Sequence, residues 1–248
     1  MVDRSKFSSL IERISDELVL YNNLIAEVIS NLTLNCSILS FDHNNFTGGL
    51  PNLSPKAFIV NLSYNSYSRS IPHSWKNLKN LEYINLWSKL SVEVPVHLFD
   101  LGQLQIINLG KNKFSGTIAI KMSQKLEELI LRANQFERII PTQLFNLTSL
   151  VHLNLAQNNF SGSMPECVYN LTNIVTLNKF HWSGLIIELF TKCQDYAYKV
   201  RAERRTIDLS ANTLSGEMTL ELFKLVQVQT LNLSHNNFIG TIRRRFES

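Results

Sequence analysis

Six histidines and three cysteines are the residues in this chain best suited to chemistry, and their spacing assigns them none. His43, His73, His97, His152, His181 and His235 are scattered, with no H-E-x-x-H or other metal-ligand spacing. There is no G-x-S-x-G elbow, P-loop or Rossmann fingerprint, so no enzyme activity, no metal and no cofactor is expected. Cys36, Cys167 and Cys193 are too few for a disulfide framework, and their number is odd. A Cys167–Cys193 bridge is one arrangement and three free thiols the other. The most frequent chemical feature is the N-x-S/T sequon, at Asn31, Asn35, Asn45, Asn52, Asn61, Asn146, Asn159, Asn170 and Asn232. Each can accept a glycan in a secreted chain, although a pattern that writes Asn-Leu-Ser and Asn-Leu-Thr produces several of them by itself.

What remains is binding, and a binding surface needs elements to hold it. Those elements follow from a repeat. Pro51, Pro72, Pro95, Pro141 and Pro165 each follow an aliphatic residue or Met. The same place recurs without proline at Ile118-Ala119, Met218-Thr219 and Ile242-Arg243. Successive spacings are 21, 23, 24, 22, 24, 54 and 24 residues, one period with a single interruption. Within each period the chain reads L-x-L-x-x-N-x-F-x-G-x-I-P, as in "LNLAQNNFSGSMP" and "LNLSHNNFIGTIR". Apolar residues alternating with polar ones make a short strand with one inward face, as at Ile107 and Leu109, Leu153 and Leu155, or Leu231 and Leu233. The Asn (44, 65, 112, 134, 158, 212, 236) falls where the strand ends, and its amide can satisfy turn backbone that has no ladder partner. The aromatic or Leu two residues on builds a second core column. Gly48, Gly116, Gly162, Gly216 and Gly240 follow where a side chain would obstruct. One copy, "INLWSKLSVEVP", is a residue short and lacks its Asn between Ser88 and Lys89. A period of 20–29 residues of this form is the leucine-rich repeat. The expected fold is therefore an α/β repeat: a curved solenoid with parallel strands on its concave face.

The Ser-Gly and Ile-Pro steps resemble the plant-specific class of these repeats. "LVQVQTLNLSHNNFIGTI" and "RRTIDLSANTLSGEM" resemble the late repeats of plant receptor-like proteins and receptor-like kinases. That resemblance implies a cell-surface ectodomain on the extracellular side of the plasma membrane. It implies signalling or defence through a partner co-receptor kinase, with a protein or peptide as ligand. It divides the chain into a degenerate segment at 1–30, repeats at 31–177, an island-like interruption at 178–204 and final repeats at 205–248. In the first segment Leu10, Ile14, Leu18 and Ile25 suit a helix or a decayed coil. Trp182, Tyr196 and Tyr198 of the interruption are expected to pack on the coils or touch a ligand, and Cys193 stands where the family's island has glycine. No kinase signature is present. Two other readings share the repeat: a soluble enzyme inhibitor of the polygalacturonase-inhibitor type, and a truncated product without independent function.

Outward strand positions of a solenoid form its partner surface. The unusual residues there are Tyr64, Glu82, Tyr83, Trp87, Lys111, Glu128, Arg132, His152 and Gln157, and exposed aromatics and Arg are enriched at binding hot spots. A central row of Asn61, Asn85, Asn108, Asn154 and Asn232 reads as a hydrogen-bonded ladder rather than a site.

Composition supports a packed chain: 44% of residues are hydrophobic and 18% charged. Net charge is +4, and Arg243, Arg244 and Arg245 supply most of it. A nucleic-acid binder carries its basic face along the fold, so no nucleic-acid partner is expected. The start, "MVDRSKFSSL", has no apolar leader, and no run is long enough to span a bilayer, so no direct membrane insertion by this chain is expected. At Arg243, where the pattern calls for proline, the chain is expected to leave the repeat; the alternative is that the three arginines discourage pairing at an open edge.

Overall fold

The structure is a computed structural model and describes residues 4–119, 121–172, 205–218, 220–225 and 227–240. Strand formation follows the L-x-L alternation. Nine short parallel strands, from Glu17–Val19 to Thr230–Asn232, pair in sequence order into one sheet. Register is the same from coil to coil: Ile107 lies beside Leu129, Leu129 beside Leu153, Leu153 beside Ile207. The inward residues therefore form columns, and Leu39, Val60, Ile84, Leu109, Leu131 and Leu155 are all buried. Beyond each turn a second parallel sheet of six strands runs along the side, from Ser91–Glu93 to Asn237–Ile239. On the back of the coils, short turns of 3-10 helix such as His73–Asn77 and Thr142–Asn146 begin right after Pro72 and Pro141, whose fixed φ near −60° starts them. Phe46, Tyr67, Phe114, Phe136 and Phe160 fill the second core column, with Phe136 and Phe160 stacked at 6.2 Å.

The recurring Asn has a direct physical role. Asn134 Nδ2 donates to Leu109 O and Leu131 O, each at 2.9 Å, and to Arg132 O at 3.3 Å. Its Oδ1 accepts from the Phe114 N–H at 3.0 Å. One amide thus ties a strand end to the coil before it. Asn44, Asn65, Asn112, Asn158, Asn212 and Asn236 repeat the arrangement. In the short coil Ser88 stands in, its Oγ donating to Asn65 O at 2.9 Å. Tyr67 N–H there meets no ladder Asn, and the buried Tyr67 hydroxyl has no partner among the described residues.

The segment before residue 31 is more regular than its letters suggest. A helix, Arg4–Arg13, buries Ile11, while Leu10 faces solvent. Strand Glu17–Val19 then pairs with Ile38–Ser40, and Asn44 Nδ2 reaches back to Leu20 O at 2.7 Å. These residues form a first coil. Strand His152–Asn154 pairs directly with Thr206–Asp208, so the sheet continues across the interruption. His181, Trp182, Cys193, Tyr196, Tyr198, Arg243, Arg244 and Arg245 lie outside the described residues.

Candidate functional site

The residue just before each ladder Asn turns the chain off the sheet with a left-handed backbone. φ is 53° at His43, 51° at Tyr64, 49° at Lys111 and 57° at Gln157. For residues other than glycine this costs about 1–2 kcal/mol each, which the ladder amide offsets by holding the turn. The conformation stands these side chains in a row along the edge where the strands end. His43 stacks on Tyr64 at 4.2 Å and 17°, and Tyr64 on Trp87 at 5.9 Å and 18°. Lys111 Nζ sits 5.1 Å from the Trp87 ring centre. One coil on, Arg132 Nε donates to Gln157 Oε1 at 3.1 Å. Tyr64 is 43% exposed, and Lys111, Arg132 and Gln157 are exposed. Five of the nine expected contact residues are therefore brought together. His43 belongs with them and was missed, although it precedes Asn44 as Tyr64 precedes Asn65. Its Nδ1 lies 3.1 Å from Oδ2 of buried Asp42, which fixes the ring. The faces of Tyr64 and Trp87 are taken up by their neighbours in the row, and one face of His43 by Tyr64. The row therefore offers partners its ring edges and two cations, groups suited to carbonyl and carboxylate oxygens.

The other four residues sit at the start of the strands, and for three of them the expectation of exposure is corrected. Tyr83 is 3% exposed, Glu128 2% and His152 7%. They do occupy the outer face, but flanking side chains on strands about 4.8 Å apart close over them. Tyr83 packs with Ile38, Ile59 and Ile106 into an apolar stripe. Burial pushes the Glu128 carboxyl up to about 8, with Glu127 adding to the rise, and its Oε2 has no hydrogen-bond partner among the described residues. Burial thus favours the protonated form of Glu128. His152 Nδ1 lies 2.9 Å from Thr206 Oγ1. Glu82 is half-buried, and its Oε2 accepts from Gln105 Nε2 at 2.7 Å. Burial raises its pKa, with Lys125 opposing.

The central Asn row is also corrected. Asn61, Asn85, Asn108, Asn154 and Asn232 each accept, through Oδ1, the N–H two residues on in their own chain, closing local turns. Among the sequons, Asn31, Asn35, Asn45, Asn146 and Asn159 are exposed, Asn52, Asn170 and Asn232 half-buried, and Asn61 buried. Cys36 and Cys167 are free thiols, and burial raises Cys36 to about 11. No group of three or more His, Cys, Asp or Glu side chains among the described residues could hold a metal ion. No helix among them is long and apolar enough to cross a membrane.

Parallel coils tied by an Asn ladder define a leucine-rich repeat solenoid. Models of the Leucine rich repeat family match residues 124–178 and 227–248. Receptor-like protein 34 of Arabidopsis thaliana is 30% identical over 211 residues, covering 84% of this chain and 21% of its own length. Receptor-like protein 43 of the same plant is 32% identical over 200 residues, 79% of this chain and 26% of its own. The chain spans about a fifth of the length of the curated relatives it matches first. The ectodomain of the Arabidopsis receptor kinase HAESA, solved with the peptide hormone IDA and the co-receptor SERK1, superposes with a TM-score of 0.73. It is 25% identical, over 93% of this chain and 35% of that one. The plant peptide hormone receptor RGFR1 shares the fold, with a TM-score of 0.68 at 20% identity, over 90% of this chain and 36% of that one. The chain carries leucine-rich repeats and is similar to segments of plant receptor-like proteins and of plant receptor-kinase ectodomains.

Proposed function

We propose that this chain is a ligand-recognition module of a cell-surface receptor, facing the extracellular side of the plasma membrane. It binds an extended peptide or protein segment along the His43–Tyr64–Trp87–Lys111 edge, extended by Arg132 and Gln157. The signal passes through a partner co-receptor kinase and serves signalling or defence. The observation that carries this reading is the exposed cross-coil stack of rings and cation. Support comes from relatives that are receptor-like proteins and from the peptide and co-receptor bound by HAESA. Selection of displayed random peptides on the immobilised chain tests it. The selected peptides are expected to lose at least tenfold in affinity for the Lys111→Ala and Arg132→Ala variants, about 1.4 kcal/mol or more. Equal binding to wild type and both variants would remove the edge as the site.

A further inference from the structure

The sequons fall differently on the solenoid, and the difference bears on the recognition edge. Asn45 follows ladder residue Asn44, and Asn159 follows Asn158. Both are exposed and hold the same place in their coils, at the outer side of the edge. Between them that place is taken by Ser66, Lys89, Lys113 and Gln135, none of which lies in a sequon. Asn44, Asn65, Ser88, Asn112, Asn134 and Asn158 mark the successive coils. Five steps of about 4.8 Å put the two asparagines about 24 Å apart. Tyr64, Trp87, Lys111 and Arg132 all lie in that interval.

Asn61 is the opposite case. It is 7% exposed, in the middle of a strand with Ser40 on one side and Asn85 on the other. Its Oδ1 accepts from the Ser63 N–H at 3.3 Å and from Ser63 Oγ at 2.8 Å, so the sequon's own groups are bonded to each other. A sugar on Asn61 has no volume to occupy unless the sheet opens.

We infer that Asn45 and Asn159 carry N-linked glycans that frame the recognition edge, and that Asn61 carries none. This rests on the extracellular location proposed above. In the transfer, Asn Nδ2 bonds to the anomeric carbon of a lipid-pyrophosphate-linked oligosaccharide. The bond from that carbon to the pyrophosphate oxygen breaks, the lipid pyrophosphate leaves, and Nδ2 loses one proton. The reaction precedes folding, so side-chain exposure decides which glycoforms can then complete the solenoid. The frame leaves about 24 Å of edge free of carbohydrate, room for about seven residues of extended peptide.

The test is glycopeptide mass spectrometry on the full chain, secreted from plant cells behind an added leader and purified as folded monomer. Asn45 and Asn159 are expected to be occupied in most molecules and Asn61 in none. Lys113→Asn creates Asn-Phe-Ser at the same coil position inside the frame. It is expected to gain one glycan while keeping the wild-type circular dichroism and elution volume. Occupied Asn61 in the folded monomer, bare Asn45 or Asn159, or an unmodified Lys113→Asn chain would each overturn the inference. Because the leader is supplied, these outcomes report site geometry alone. The extracellular reading fails separately if the natively expressed chain shows no endoglycosidase-sensitive mass. That result would remove the glycans from the native chain as well.

Discussion

Replacing Asn134 with alanine removes one side chain and four hydrogen bonds. Three are donated to carbonyls of two coils, and one is accepted from the Phe114 N–H. Asn134 is buried, so water cannot replace it without entering the turn. The two 2.9 Å bonds are worth about 1 kcal/mol each, and the stranded Phe114 N–H costs about 1–3 kcal/mol more. A loss of about 3–5 kcal/mol in unfolding free energy follows. Asn134→Asp is expected to cost more above pH 5. It keeps the acceptor for Phe114 but turns carboxylate oxygens toward three carbonyl oxygens, and protonation of the acid relieves part of that repulsion. Urea unfolding followed by tryptophan fluorescence, together with amide exchange at Phe114, measures both effects. A loss under about 1 kcal/mol for Asn134→Ala, with Phe114 exchange unchanged, would refute the ladder as the tie between coils.

Gly162 has φ +84°, and an added Cβ would lie 2.8 Å from Ile139 Cγ2, so Gly162→Ala should destabilise by about 1–3 kcal/mol. Ile139→Ala, which removes that methyl, should recover part of the loss in the double variant. Glu128 holds its proton more tightly when folded, because its pKa is raised from 4.5 to about 8. Its contribution to stability is full below the ordinary value and is lost as pH rises through about 8, with a slope of at most about 1.4 kcal/mol per pH unit. Glu128→Gln should flatten that decline in melting temperature between pH 5 and pH 9, a window set by the same shift. Inserting Asn between Ser88 and Lys89 should complete the ladder, slow amide exchange at Tyr67, and raise stability by about 1–3 kcal/mol if the turn accepts the residue. Unchanged exchange at Tyr67 would show that the short coil is not a defect in the ladder.

The core columns were readable because the repeat writes them at fixed spacing: Phe114, Phe136 and Phe160 are buried where the pattern places them. Alternation also put Tyr83, Glu128 and His152 on the outer face, correctly. What a one-dimensional pattern does not contain is the width of the neighbours. Ile59 and Ile106 flank Tyr83, and Ile106 and His152 flank Glu128, so these side chains bury one another. The first coil was hidden for a different reason. Leu18, Leu20 and Ile25 hold its inward places and Asn23 its ladder place, donating to Leu20 O and Tyr21 O at 3.1 Å, but Glu27 stands where the later coils have Gly and no proline closes the period. His43 was legible and overlooked: its slot is defined by the following Asn, not by its own residue type.

The missing residue beside Ser88 affects how the recognition edge must be tested. At this coil the ladder is broken, and the side sheet is interrupted between Ser66–Tyr67 and Ser91–Glu93. The main sheet still crosses the gap, with the Leu62 N–H donating to Asn85 O at 2.9 Å and the Tyr64 N–H to Trp87 O at 2.7 Å. The Tyr64–Trp87 stack spans the same gap and so helps join the two halves of the solenoid. Trp87→Ala therefore removes a structural contact together with a binding surface, and weakened binding in that variant would not separate the two. Lys111 is exposed and lies over the Trp87 ring, a contact worth about 0.5–1 kcal/mol. If Lys111→Ala leaves unfolding within that margin and still costs tenfold in affinity, the loss belongs to recognition. If binding falls only in variants that also loosen Tyr67 exchange, the edge acts through the integrity of the stack, and the contact lies elsewhere on the solenoid.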